Sequence, residues 1–575
     1  MTQSQRNEKA YRETGKLKEE VVNQWWQAHH SLLQDTLAAI ADGIHWQPFS
    51  DNLADYLPEL KEHGRLSFES MLNSRFQLPM HEHISEWVTE TRSPYGPALN
   101  IAYPVIRPEV ACTYASETLS VWGNIPVKQR AAILLETVAR LHQASFIFAE
   151  AGVHTSGHSY LMGFHANALH AQYRAIESIA RMFREMELLE TSNCWKINIG
   201  NEPEMGFQRT FMTRPLGLSL VICGRIVPTW NAYPAIFASL MAGNPVLVKP
   251  HPDAILPLAL TVKILREVLS EVGLPISIIT LTPDSQQAKI AKELAMNPEV
   301  RIIDYTGREN MGQWLEMNAR HARLFLQKSG ITPVILHSSN NYKGMLRNIA
   351  FGLCSYSAQL CTSPRVLWIP SDGIQTPEGK HPPETFIQDL SEMMDIILQQ
   401  ADTPGDILGA LVIHDGETAL SKANNGEFGR VIRQARRMSH PVYHHAQIWS
   451  PALISTELAL EQAKLPPDGP ITLIALGKTL VEANTGIRAL ASTTGCLSVG
   501  LYTSDPYIEK SMTDMAADIG AILSVNFSGS YFLSQSEVFT DIHGGSVNPS
   551  ANTGYGEPSF YSSRFRLTET RRQTY

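Results

Sequence analysis

The chain has little cysteine, no basic block and no long apolar run. Six cysteines in 575 residues (Cys112, Cys194, Cys223, Cys354, Cys361 and Cys496) form neither a disulfide framework nor a paired CxxC metal pattern. Reduced thiols in a cytoplasmic protein are therefore expected. No apolar segment reaches the roughly 20 residues needed to cross a bilayer, and Met1 to Glu20 is polar, without the apolar core of a signal segment. A formal net charge of -9 without clustered Lys or Arg excludes nucleic acid and anionic membrane as main partners. Internal repeats and low-complexity segments are absent too. What is there is a globular composition, 43% hydrophobic and 18% charged, over a length that calls for more than one core.

Residues 1–206 read as a helical N-terminal region, helical from about Glu8 to Asn193, with amphipathic stretches Val127 to Ser145 and Gly163 to Met186 and an extended interruption at Ser93 to Pro104. His154 and His158 have the i, i+4 spacing of a metal pair, with His165 and His170 beyond. No Cys or acidic partner accompanies them, so they read as packing or surface histidines and no metal is expected. From 207 to 331, β-branched runs (Leu218–Cys223, Pro245–Lys249, Ile276–Leu281, Val300–Tyr305) alternate with helical patterns (Tyr233–Ala242, Pro257–Val272, Ser285–Met296, Asn310–Ala322). That alternation predicts a parallel sheet covered on both faces, a dinucleotide-binding type of domain. A second α/β region spans 332–533, and 534–575, rich in Ser, Gly, Asn and aromatics, reads as a C-terminal arm.

Four short stretches carry chemistry. Cys361 follows a helical run (Lys343 to Cys354) and precedes the strand Val366–Ile369, which puts it on a loop at a sheet edge, where nucleophiles are displayed. A lone cysteine is by default a small buried apolar residue. Asn231, in Pro228-Thr229-Trp230-Asn231 after the first strand, can donate its amide to a developing oxyanion or simply cap the next helix. Lys249 ends a buried strand, where an ammonium can meet a ribose hydroxyl. Gly307 and Gly312, between a strand and a helix, allow close approach of a pyrophosphate, or form a plain turn.

In this order and spacing, these stretches, with Ser93-Pro94-Tyr95-Gly96, His154-Thr155-Ser156-Gly157, Gly243 to Pro252, Arg301 to Gly307, Gln359-Leu360-Cys361-Thr362, Ser524-Val525-Asn526 and Asn548 to Asn552, resemble the aldehyde dehydrogenase superfamily. The whole chain resembles most its phenylacetic acid degradation branch, PaaN, which carries a long N-terminal extension. The resemblance implies a Rossmann-type cofactor domain, part of which the N-terminal region completes, and an α/β catalytic domain. It implies oxidation of a small-molecule aldehyde with NAD or NADP: Cys361 forms a thioester, and Asn231 and the Cys361 N–H hold the oxyanion. Trp230, Lys249, His251, Gly307, Arg308, Gly312 and Gln447 would face the cofactor. The implied substrate is a ring-opened semialdehyde carrying a CoA thioester, and the implied assembly a homodimer or homotetramer.

Three acidic positions of the superfamily are missing. Gln327 stands where a glutamate base activates water, and an amide takes no proton at neutral pH; a positioned base contributes about 10²- to 10⁴-fold. Gln447 stands where a glutamate holds the nicotinamide ribose, and can still hydrogen-bond its hydroxyls. Around His251-Pro252-Asp253 an adenosine-ribose carboxylate is replaced, which favours NADP over NAD, with His251 or Arg308 adding attraction. Three readings follow: an aldehyde dehydrogenase, a dehydrogenase that passes its acyl group to a thiol such as CoA, and a degenerate dinucleotide-binding relative without turnover.

Overall fold

The computed structural model of the protein describes residues 17–79, 83–198, 200, 204–413, 415–463, 465–531, 545 and 548–574. The helical reading of 8–16 and, of the arm expected over 534–575, residues 534–544, 546, 547 and 575 lie outside the described residues.

The N-terminal helices are there because apolar residues recur on one face. In Val127–Gln143, Ala131, Leu134, Leu135, Val138 and Leu141 are buried at helical spacing. Helix α1, His170–Leu189, does the same with Ile176, Ile179 and Phe183. The stretch read as its start, Gly163–Leu169, is a π-helical turn. The extended segment Ser93 to Pro104 belongs to a hairpin of Glu86–Arg92 and Ala98–Val105. These helices share one apolar core with helix α2, Pro228–Met241, and helix α3, Leu256–Glu271, so the N-terminal region packs directly on the cofactor-type domain.

That domain has five parallel strands: β1 Leu218–Ile222, β2 Val246–Lys249, β3 Ile279–Leu281, β4 Val300–Gly307 and β5 Arg323–Lys328. Their order is β3-β2-β1-β4-β5. The order reverses between β1 and β4, and in open α/β sheets ligands lie outside the carboxyl ends at such a switch point. β1 and β2 are buried on both faces, hence their uninterrupted apolar runs. Helix α2 starts at Pro228, five residues earlier than expected. Proline is well placed in a first turn, as Pro228 is, and Pro234 lies inside the helix. The helix expected over Ser285–Met296 shortens to Ala291–Met296, because the Asp284 carboxylate accepts from Ile290 N and holds the preceding residues as a loop. Helix α4, Glu309–Asn318, follows β4.

The catalytic-type region, which also contains helix α5, Tyr342–Cys354, has seven strands: β6 Pro333–Leu336, β7 Val366–Pro370, β8 Arg430–Arg433, β9 Ala452–Thr456, β10 Ile471–Gly477, β11 Ser498–Tyr502 and β12 Ile522–Val525. Their order is β8-β9-β10-β7-β6-β11-β12, and β8 with β9 is the antiparallel pair. A third sheet joins Ser192–Ile197, Met205–Pro215 and Phe565–Thr574 antiparallel. The division expected at 206/207 thus cuts through one strand of this arm. Among the described residues no helix is long and apolar enough to cross a membrane.

Candidate active site

Cys361 lies exposed on the turn before β7. Burial pushes the thiols of Cys112, Cys223, Cys354 and Cys496 up to about 12, which keeps them protonated and inert. The backbone leading to Cys361 is strained. Tyr356, Ser357 and Ala358 have φ of 52°, 51° and 50°, a left-handed turn of three buried residues, none of them glycine. Side chains hold it there: the Tyr356 hydroxyl donates to Ser156 O, and the Ser357 hydroxyl lies 3.0 Å from the carbonyls of both Leu408 and Trp449. Gln359 donates to Ala410 O at 3.0 Å and accepts from Val412 N at 2.8 Å, the pairing a β-strand backbone would make. The Thr332 hydroxyl donates to Cys361 O at 3.2 Å.

The segment 410–412 is the meeting point of the site. Ala410 N donates to Gly157 O at 2.7 Å, and Leu411 N to Gln447 O at 2.7 Å. Arg225, after β1, donates to Val412 O at 3.3 Å and to Thr155 O at 3.1 Å. His158 Nε2 donates to Ile226 O at 2.5 Å, its imidazole kept neutral because burial lowers its pKa to about 4. Gly157 has φ of 70°, and a side chain there would strike Ala410 O. The loops carrying Cys361 and Gln447 and the lead into Asn231 are therefore fixed to one another by hydrogen bonds, most of them from a side chain to a backbone group.

Asn231 is half-buried in the first turn of α2; the cap position is Val227, so the capping reading gives way. The Thr229 hydroxyl reaches Asn167 O and Oδ1, each at 2.7 Å, and Asn167 donates to Phe148 O at 2.8 Å. Arg174 of α1 stacks on Trp230 at 3.6 Å and on Tyr555 at 4.7 Å, and the Tyr555 hydroxyl donates to Asn231 O at 3.3 Å. Trp230, expected at the cofactor, thus has a face covered by Arg174. The positive end of α2 beside an amide side chain suits a developing oxyanion.

Lys249 ends β2 at the switch-point side, almost fully buried. Its Nζ donates to Asp284 Oδ1 at 2.6 Å and to Pro250 O at 2.7 Å, leaving one of its three protons for a ribose hydroxyl. Desolvation lowers its pKa, against the pull of Asp284. Asp253, accepting from Gln286 at 2.7 Å, is a second carboxylate in this corner. His251 is neutral, its pKa lowered by burial to about 3. The expectation that the corner lacks a carboxylate and gains a cation at His251 is therefore corrected: Asp284, beyond the end of β3, and Asp253 are both carboxylates of this corner. Gly307 ends β4, and Arg308 is exposed at the entrance to α4. Gly312 faces the Lys328 stem, which a Cβ would strike, so helix–strand packing accounts for this glycine. The Gln447 Oε1 is buried without a hydrogen-bond partner, an acceptor that a ribose hydroxyl would satisfy.

Gln327, near the end of β5, donates from Nε2 to Thr553 O at 2.5 Å. The segment 550–553 runs along this strand: Lys328 N donates to Ser550 O at 2.6 Å and Leu326 N to Asn552 Oδ1 at 2.8 Å.

A model of the aldehyde dehydrogenase family matches residues 107–430. The crystal structure of an NAD-dependent aldehyde dehydrogenase from Burkholderia multivorans is 32% identical, covers 96% of this chain and 99% of that one, and superposes with a TM-score of 0.91. The chain belongs to the aldehyde dehydrogenase family. Among curated relatives, vanillin dehydrogenase of Pseudomonas fluorescens is 23% identical over 53% of the chain. N-succinylglutamate 5-semialdehyde dehydrogenase of Vibrio cholerae is 26% identical over 52% of the chain. The matched stretches span 59% of the length of each. The 1-pyrroline-5-carboxylate dehydrogenase of Thermus thermophilus, at 16% identity and a TM-score of 0.70, shares the fold.

Several residues that build this candidate site escape a reading of the sequence: Gln359, Ala410 and Val412 around Cys361, Asn167 and Arg174 around Asn231, and Asp284 on Lys249. Most act through backbone groups or through partners distant in the chain, and leave no local pattern. Asp284 alone had a signal, an acid just beyond a strand of the parallel sheet.

Proposed function

We propose that the chain oxidises an aldehyde with a nicotinamide dinucleotide through a thioester on Cys361. The observation that carries this is the exposed Cys361 on a strained turn tied through Gln359 to the segment that also anchors Gln447 and Arg225. The Cys361 sulfur, as thiolate, attacks the aldehyde carbon, and the Asn231 amide with the Cys361 N–H holds the oxygen as it gains charge. Bound along the first sheet, the dinucleotide supplies the hydride acceptor. Lys249 would meet the adenosine ribose, Gln447 the nicotinamide ribose, and Arg308 with the N-terminus of α4 the pyrophosphate. We favour NAD, since Asp284 and Asp253 oppose a 2'-phosphate. The Burkholderia relative is likewise described as NAD-dependent.

The substrate we assign is a semialdehyde carrying a CoA thioester from opening of an aromatic ring, supported by the whole-chain resemblance to the phenylacetate-degrading branch. A homodimer or homotetramer in the cytoplasm fits the exposed edge strand Ser192–Ile197. A specific observation favours release of the acyl group to a thiol over release to water. Gln327 is both incapable of accepting a proton and engaged with Thr553. A thiolate attacks a thioester without help from a base.

Mixing enzyme, NAD and the CoA semialdehyde, with Cys361→Ala as control, tests both. A stoichiometric burst of reduced cofactor that becomes steady turnover only with added CoA supports thiol release. Steady turnover in buffer alone assigns the last step to water. No burst, despite cofactor binding, leaves a dinucleotide-binding protein without turnover.

A further inference from the structure

Away from Cys361 lies a cavity of about 360 Å³ where the N-terminal region meets the catalytic domain. It opens between helix Pro58–Glu69, the hairpin turn at Tyr95, helix Ser145–Ser156 and the loops at Asp406 and Tyr443. The bonds from Gly157 to Ala410 and from Ala410 to Gln359 stand between it and the cysteine loop. Its volume is within the range of small-molecule pockets.

The walls are aromatic. Phe68 stacks on His154 with ring centroids 4.7 Å apart, and Tyr95 and Tyr443 meet at 5.3 Å. Tyr160, on the same wall, has a buried hydroxyl without a hydrogen-bond partner. In this apolar frame sits Glu150, 8% exposed. Among the described residues its carboxylate makes no hydrogen bond; His154 Nε2 stands 3.9 Å from it. His154 does not neutralise it, because burial lowers that imidazole's pKa to about 4 and its Nδ1 pairs with the Ser93 hydroxyl. The remaining charged lining residues are Arg65, Glu69 and Asp406, and Arg65 is already paired with Glu62 and Glu69. His440, the other titratable ring of the lining, is also held below its usual pKa by burial. Once ionised, Glu150 therefore sets a carboxylate without a hydrogen-bonded counterion among ring faces, the Lys61 and Arg65 charges acting only at longer range. That combination attracts an organic cation. The rim already takes one: Lys61 Nζ stands 4.3 Å over the Tyr160 ring.

We propose that this cavity binds a small protonated amine bearing a hydrocarbon or aromatic group, its ammonium on Glu150 and its apolar part against Phe68, Tyr95 and Tyr443. The site would couple a cationic metabolite to the packing of the N-terminal region on the catalytic domain. Burial raises the Glu150 carboxyl to about 7, with Lys61 and Arg65 opposing that rise and Glu69 adding to it. Amine binding therefore strengthens as Glu150 ionises.

The test is calorimetric titration of the full-length enzyme with benzylamine and with neutral benzyl alcohol. Benzylamine is expected to bind at least about tenfold more tightly than the alcohol, and about tenfold more tightly at pH 8 than at pH 6. Glu150→Gln should remove both differences, and Cys361→Ser should keep them. Equal affinity of amine and alcohol for the wild type overturns the proposal, whether or not the Glu150 variant folds. Amine binding lost in Cys361→Ser but retained in Glu150→Gln overturns it too, by moving the amine to the cysteine site.

Discussion

The side-chain amide of Gln327 donates to the backbone carbonyl of Thr553 at 2.5 Å, across 226 residues of sequence. An ionised glutamate at this position could not donate, and would set a carboxylate against a carbonyl oxygen. The Gln327→Glu variant should therefore lose about 1–3 kcal/mol at neutral pH. Its carboxyl can replace the lost donor only when protonated, so its folded pKa rises above the unfolded value. The replacement bond is then fully present below about pH 4 and lost as pH rises through the raised pKa. Melting curves of variant and wild type should diverge from about pH 4 to about pH 6.5; a constant gap would mean the Thr553 contact contributes nothing.

The sheets were legible because buried parallel strands such as Leu218–Ile222 and Val246–Lys249 are uninterrupted apolar runs, and Cys361, Asn231 and Lys249 were legible because they stand at strand and helix ends. The contacts that decide their chemistry were not. Lys249 meets Asp284 35 residues on, and Gln327 meets Thr553 near the other end of the chain. Each pair is created by strand order, which no local periodicity encodes. The start of α2 was not legible either: the helical pattern reads only from Tyr233, whereas the helix begins at Pro228 and continues through Pro234 within the surrounding core.

Ala358 has φ of 50° in a run of three left-handed residues, each costing about 1–2 kcal/mol relative to the right-handed form. Glycine removes that cost at one position while adding back some unfolded-state freedom. Ala358→Gly should stabilise the fold by about 0.5–1 kcal/mol, read as a higher melting temperature. A lower melting temperature would show that the buried Ala358 methyl contributes more by packing than its backbone costs.

Glu90 is buried, accepting from the Tyr103 hydroxyl at 2.9 Å and from Ile255 N at 3.2 Å. Desolvation outweighs these bonds and raises its carboxyl to about 7. With an unfolded value of about 4.3, its contribution is intact below about pH 4 and diminishes as pH climbs through 7. Glutamine does not titrate. Relative to wild type, Glu90→Gln should gain stability between about pH 5 and about pH 8.5, by at most about 3 kcal/mol. Urea unfolding at the two pH values measures this, and an unchanged difference would place the ionisation of Glu90 outside that interval.

Asp284 holds Lys249 at 2.6 Å at the end of the sheet where an adenosine ribose would lie. Its charge both orients the ammonium and repels a 2'-phosphate. Asp284→Asn keeps one acceptor, which can stay on Lys249 at the expense of the Ile290 N bond made by the second carboxylate oxygen, and it removes the negative charge. The ratio of kcat/KM for NADP to that for NAD should rise about tenfold, equivalent to about 1.4 kcal/mol. Asp253→Asn, in the same corner but bonded to Gln286 rather than Lys249, should move the ratio less. Initial rates with both cofactors on the three proteins decide it. If Asp253→Asn shifts the ratio and Asp284→Asn does not, the carboxylate facing the ribose is Asp253, and the part played by Asp284 is confined to holding Lys249.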